Sequence, residues 1–170
     1  MAPLREAFPD AAQGCFVRSY DRAHLTANPA QSVATLRLAR LKRERAREDV
    51  DGPEAPGFAL TLKARFADGR TASEGLDCEA VYVDLAKRAP SSLPSYLRCR
   101  STCNRGFVDV TPEGPDRVKL TIGGEAMGRF VPDAVGVGRS CASDLGVVWL
   151  GDREGDRIFR LDRAKLEACR

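Results

Sequence analysis

The 170-residue chain sets 27 Lys and Arg against 24 Asp and Glu, a net charge of +3 in a sequence that is 30% charged. So even a balance offers none of the concentrated basic field that nucleic-acid binding needs, and no nucleic-acid partner is expected. The length fits one β-rich domain over residues 1–170, large enough to bury its own core, and no run approaches the roughly 18 apolar residues of a membrane span.

Residues 1–14, "MAPLREAFPDAAQG", place Arg5, Glu6 and Asp10 where the apolar stretch of a signal peptide would lie, and read as a flexible N-terminal segment. A mature exported chain whose signal peptide is not part of the sequence has this look, and so does a cytosolic protein. "DRAHLTANPA" (Asp21–Ala30) predicts one helical turn, capped by Asp21 and stopped by Pro29. "SVATLRLARL" (Ser32–Leu41) sets Leu36 and Leu38 on one face and Arg37 on the other. "LKRERAREDVDGPEAPG" (Leu41–Gly57) reads as an exposed, charged excursion.

"GFALTLKARF" (Gly57–Phe66) has the cleanest pattern: Phe58, Leu60, Leu62, Ala64 and Phe66 alternate with Ala59, Thr61, Lys63 and Arg65. That is the period of a half-buried antiparallel strand, and the following Asp68-Gly69 is a hairpin signal. "LAKRAPSSLPS" (Leu85–Ser95) is a second polar, proline-broken loop. Beyond it "GFVDVT", "RVKLTIG", "GRFVP", "GVVWLG" and "DRIFRLD" are short Val/Ile/Phe-rich runs separated by turn residues. "DRAKLEAC" (Asp162–Cys169) predicts a short C-terminal helix capped by Asp162. Together these predict an all-β fold, an antiparallel small barrel or sandwich of about seven or eight strands with a short C-terminal helix, stapled by disulfides.

The six cysteines are Cys15, Cys78, Cys99, Cys103, Cys141 and Cys169. An even count with members near both ends suits a disulfide framework in an oxidising compartment, hence a periplasmic or secreted protein. Cys99 and Cys103 stand three residues apart, a spacing that also invites zinc or redox chemistry. A zinc site wants a second close pair, and the chain has a single histidine. A redox pair wants Cys-x-x-Cys opening a helix, whereas Asn-Arg-Gly follows here. In a strand, residues i and i+4 share a side but lie too far apart to bond each other, so the two are expected to reach separate partners. The expected pairing is Cys15 with Cys169, and Cys99 and Cys103 with Cys78 and Cys141 in either order. No metal and no cofactor is expected.

Other groups carry weaker chemistry. His24 lies near Tyr20 and Asp21, without a nucleophile elbow in the sequence. Glu74, Asp77 and Glu79 are candidates for a hydrolytic carboxylate pair. "GDREGDRIFRLD" clusters Asp152, Glu154, Asp156 and Asp162, but its glycine and glutamate miss calcium-loop positions, and a turn is the expected reading. Trp149, the lone tryptophan, is expected in the core or, with Phe58, lining a ligand pocket inside a barrel.

"CFVRSYDRAHLTANPAQSV", "CRSTCNRGFVDV" and "DRIFRLDRAKLEACR" resemble a group of uncharacterised small exported cysteine-containing proteins of alphaproteobacteria. The resemblance implies export, paired cysteines and a β-rich fold, and it implies no activity. Here "CNRGFVDV" stands where the group has a more glycine-rich, acidic turn, so that turn inherits no role. The expected function is a non-catalytic exported binding or interaction module for a protein or small ligand. A small envelope hydrolase using His24 or a carboxylate pair is the alternative.

Overall fold

Leu60, Leu62, Ala64 and Phe66 are all buried while Lys63 and Arg65 between them reach solvent, so the alternation read from the sequence is the pleat of a real strand. The computed structural model describes residues 14–40, 58–84, 89–90, 96–103, 105–126, 129–131, 134–138 and 146–170. Its strands are β1 (Cys15–Ser19), β2 (Val33–Arg40), β3 (Phe58–Phe66), β4 (Thr71–Val81), β5 (Val83–Asp84), β6 (Ala89–Pro90) and β7 (Tyr96–Ser101). They continue with β8 (Phe107–Pro112), β9 (Arg117–Ile122), β10 (Gly124–Ala126), β11 (Arg129–Val131), β12 (Val135–Val137), β13 (Val148–Leu150) and β14 (Ile158–Arg163). One helix, α1 (Arg22–Ala27), and two short 3-10 turns, Glu154–Asp156 and Leu166–Cys169, complete the elements.

Eight strands close into an antiparallel barrel in the order β1-β14-β9-β8-β7-β4-β3-β2, with β1 also paired to β2. Read along the chain, each barrel strand lies beside the previous one, which makes this an up-and-down barrel without sheet edges. Tight turns join β3 to β4, β7 to β8 and β8 to β9, whereas β10 to β13 lie between β9 and β14. At the β3–β4 hairpin Phe66 N–H donates to Arg70 C=O at 2.9 Å, and Gly69 holds φ +87°, a conformation glycine adopts without strain. "CNRG" likewise ends β7 and leads into β8, as its composition predicts; its Asn104 lies outside the described residues.

An eight-stranded barrel is about wide enough for its own side chains to fill. Phe16, Leu36, Leu38, Leu60, Leu62, Leu97, Val110, Leu120 and Leu161 point inward with 0% exposure. A water-sized void beside any of them would show as accessible area, so this part of the interior is packed. The β12–β13 ribbon extends the core: Val135, Val137 and Leu150 are fully buried in the same apolar cluster, with β12 against β3 and β4. α1 is the expected turn, its first-turn His24 N–H donating to Asp21 Oδ1 at 2.7 Å, with Asn28 ending it before Pro29.

Three expectations need correction. The C-terminal helix does not start at Asp162: Asp162 and Arg163 continue β14, because their pairing with Val17 and Phe16 closes the barrel, and only a 3-10 turn remains at Leu166–Cys169. "GRFVP" and "GVVWLG" are strands, but they pair in separate two-stranded sheets outside the barrel ladder. β4, the longest strand, escaped the pattern reading, since its inward row Ala72, Glu74, Leu76, Cys78 carries a single large apolar side chain. Residues 1–13 and 41–57, and most of 85–95, lie outside the described residues.

Candidate functional site

Cysteine chemistry is spoken for. Cys15 bonds Cys169 across 154 residues, and Cys78 bonds Cys99, its direct partner in the β4–β7 register. Cys103 is disulfide-bonded as well, in the turn after β7, so Cys99 and Cys103 do serve two separate staples. Cys141 lies outside the described residues, among which no cysteine is free.

The hydrolytic candidates come apart for geometric reasons. Glu74 is separated from Asp77 and Glu79 by odd numbers of residues along β4, so the pleat sends it to the opposite face. Glu74 is buried at 3% and accepts from Ser101 Oγ (2.8 Å), Thr102 Oγ1 (3.3 Å) and Cys103 N–H (3.4 Å), fastening the turn that carries Cys103. Asp77 and Glu79 are exposed on the outer wall, Glu79 at 4.0 Å from Arg100. His24 stacks on Tyr20 and its Nε2 meets the Gln31 side-chain oxygen at 3.1 Å. A neutral amide supplies no charge to stabilise an imidazolium, unlike the carboxylate of a triad.

Of the "GDREGD" carboxylates, Asp156 is consumed by structure. It is 2% exposed and accepts from Ser32 N–H (3.0 Å), Val33 N–H (3.1 Å) and the Ser32 hydroxyl, which pins the turn onto the start of β2. Gly155 makes the approach feasible, since a Cβ there would come within 2.8 Å of Ala30 and Gln31 backbone atoms. Asp152 and Glu154 remain exposed beside it.

Trp149 occupies neither expected position. It lies on β13 opposite Gly136 with 44% exposure, outside the barrel, while its neighbour Leu150 takes the inward position. The side chain of Phe58, at the start of β3, lies outside the described residues. Fluorescence from this single tryptophan is therefore expected to be red-shifted and freely quenched by acrylamide in the folded protein. A blue-shifted, quencher-resistant emission would place the ring in an interior pocket after all.

What the fold does assemble is a charged row on the outer wall. The registers align Arg117, Asp162, Val17, Arg37, Lys63 and Ser73 across β9, β14, β1, β2, β3 and β4. A second row aligns Ser19, Thr35, Arg65 and Thr71. On the β9 and β14 side three arginines meet carboxylates, while Lys119 opposite Arg160 meets none among the described residues: Arg117 Nε meets Asp162 at 2.6 Å, Arg160 meets Glu113 at 3.2 Å and Arg163 meets Asp116 at 3.0 Å. On the β7–β8 side Arg98 lies over the Phe107 ring and makes a two-pronged bond to Asp109, both contacts 2.9 Å, whose hydrogen bond raises the Arg98 pKa further above its ordinary range.

The β2–β3–β4 side is different. Arg37 and Lys63 are directly opposed, Arg65 is two residues along from Lys63, and no carboxylate pairs with any of the three among the described residues. Lys63 Nζ donates to the Cys169 carbonyl at 3.3 Å, and Arg65 Nη2 to Thr35 Oγ1 at 3.3 Å. Arg37 Nε and Thr61 Oγ1 are buried without a hydrogen-bond partner. A shallow groove of about 250 Å³ runs between Arg37, Lys63, Arg65, Thr71 and Ser73. Like charges directly across a strand pair oppose folding, and here neither Arg37 nor Lys63 has a carboxylate among the described residues to offset that. The sequence places Lys63 and Arg65 on one face of β3; only the β2–β3 register brings Arg37 beside them.

No family model matches the chain, and no curated protein or solved structure matches it.

Proposed function

We propose that this protein is a non-catalytic binding module of an exported, periplasmic or secreted kind, which meets its partner with the outside of the barrel rather than its interior. The observation that carries the reading is the pairing of fully buried inward side chains with an outer face of cations that lack carboxylate partners among the described residues. The inward side chains from Phe16 to Leu161 are fully buried, whereas Lys63 and Arg65 on the outer face keep donors beyond their bonds to Cys169 and Thr35. Disulfides support the compartment, because they persist where the surroundings are oxidising. No helix of the described chain is long and apolar enough to cross a membrane.

The alternative, an envelope hydrolase, has less support: Glu74 is separated from Asp77 and Glu79 by the sheet, and His24 leans on an amide. Incubation with sacculi, polysaccharide, protein and ester substrates, scored for both retention and product release, tests the two readings together. Retention without new chain ends is expected. Product release that disappears in His24→Ala or in Asp77→Asn/Glu79→Gln would establish the hydrolase instead.

A further inference from the structure

We infer that the outer face of β2, β3 and the first half of β4 docks an acidic polysaccharide, with its carboxylate or sulfate groups seated among Arg37, Lys63 and Arg65. This rests on the binding reading above and gives it a ligand class. Neighbouring strands stand about 4.8 Å apart and same-face residues along a strand about 6.7 Å apart, so the three cations form a compact triangle within reach of one or two anionic groups. A bound anion offsets the repulsion between the directly opposed Arg37 and Lys63. Guanidinium groups bind carboxylate and sulfate oxygens two at a time, and such charge-assisted bonds are about twice as strong as neutral ones.

The neighbours of the cations select among anions. Thr71 and Ser73 line the same groove with hydroxyls that both donate and accept, the complement of a sugar ring's own hydroxyls. None of the exposed large apolar side chains (Tyr82, Trp149 and Ile158) belongs to these outward rows. Among the described residues the face therefore lacks an aromatic platform for nucleobases and an apolar wedge for a bilayer. An acidic peptide would satisfy the charges but leave the hydroxyls without matching partners.

The test is retention of the full chain on immobilised dextran sulfate and polygalacturonate across a salt gradient. Neutral dextran, phosphatidylglycerol vesicles, poly-glutamate and duplex DNA serve as comparison probes. Binding to both acidic glycans and not to neutral dextran is expected. Arg37→Gln/Lys63→Gln/Arg65→Gln should weaken it about tenfold or more and flatten its salt dependence, because fewer counterions are released. Arg22→Gln/Arg153→Gln/Lys165→Gln, which removes the same net charge from exposed positions elsewhere, should change it less than about twofold. Equal losses in the two triple variants would overturn the inference in favour of bulk charge. Tighter binding to vesicles, poly-glutamate or DNA, or no binding to either acidic glycan, would overturn it as well. Should the first triple variant not fold, Arg65→Gln at its exposed position carries the comparison. Retention on sacculi or protein without acidic-glycan binding sinks this inference and leaves the binding module standing; product release sinks both.

Discussion

Removing the Cys15–Cys169 bridge, as Cys15→Ala/Cys169→Ala, is expected to destabilise the protein more than any other single staple removal. The bridge closes 154 residues, and on the chain-entropy account a loop of that size contributes about 5 kcal/mol. The Cys78–Cys99 bridge closes 21 residues and contributes about 3 kcal/mol on the same footing. Position adds to the difference. β1 is five residues long and its register with β14 spans only Phe16–Arg163 and Val17–Asp162, so the barrel's closing seam is its weakest ladder. The bridge joins the first residue of β1 to the turn just beyond β14 and holds that seam shut. Thermal midpoints should fall by roughly 10–15 °C for the first double variant and less for Cys78→Ala/Cys99→Ala. Amide exchange in the first should quicken in β1 before the β3–β4 hairpin. The reverse ordering of the two variants would show that burial of the Cys78 and Cys99 sulfurs, rather than loop closure, sets the contribution. The same samples give the cysteine count: the unreduced mass should sit six hydrogens below the reduced one, since the chain has six cysteines and none of those described is free.

Asp156→Ala should cost about 3 kcal/mol, because it strips the acceptor from the Ser32 and Val33 backbone N–H groups and the Ser32 hydroxyl in a buried place. Asp156→Asn keeps one oxygen and the volume, so a loss of roughly 1–2 kcal/mol is expected. Urea unfolding read by far-UV dichroism measures both. Equal losses in the two variants would mean that the charge, not the number of acceptors, holds the turn to β2. A loss under about 0.5 kcal/mol in Asp156→Ala would mean that water reaches the backbone N–H groups of the half-buried Ser32 and the buried Val33.

The two predictions meet the functional reading at one strand. β2 is pinned by Asp156 at its start and lies beside the seam staple at its end, where the Cys169 sulfur rests 3.7 Å from the Leu38 carbonyl. Arg37 sits between these anchors, across from Lys63. A cationic triad on a rigid sheet loses little freedom when it binds, which favours a preorganised face over one built on loops.

The sequence by itself determined the class of the fold and the chemistry of its cysteines. Alternation such as Leu60-Thr61-Leu62-Lys63 depends only on the backbone pleat, and Asp68-Gly69 and the "CNRG" turn depend only on local backbone preference. Cysteines near both ends of an otherwise continuous strand pattern made the Cys15–Cys169 pairing legible as well. The opposed faces of Glu74 and Asp77 were legible too, by counting residues along β4, once β4 was known to be a strand. Closure of the sheet was not legible. It requires β1 to pair with both β2 and β14, contacts between residues some 20 and 150 positions apart that no local pattern encodes. The burial of Trp149 was misjudged for the same reason: an apolar run shows that one face of a strand is covered, and only packing shows that Leu150 took that face. The cationic triad is the clearest case. Arg37, Lys63 and Arg65 each look like an ordinary solvent-facing strand residue, and a one-residue slip of β2 against β3 would have turned Arg37 to the core. Tertiary register set Arg37 opposite Lys63, with no carboxylate paired to either among the described residues, and the candidate surface exists only through that pairing.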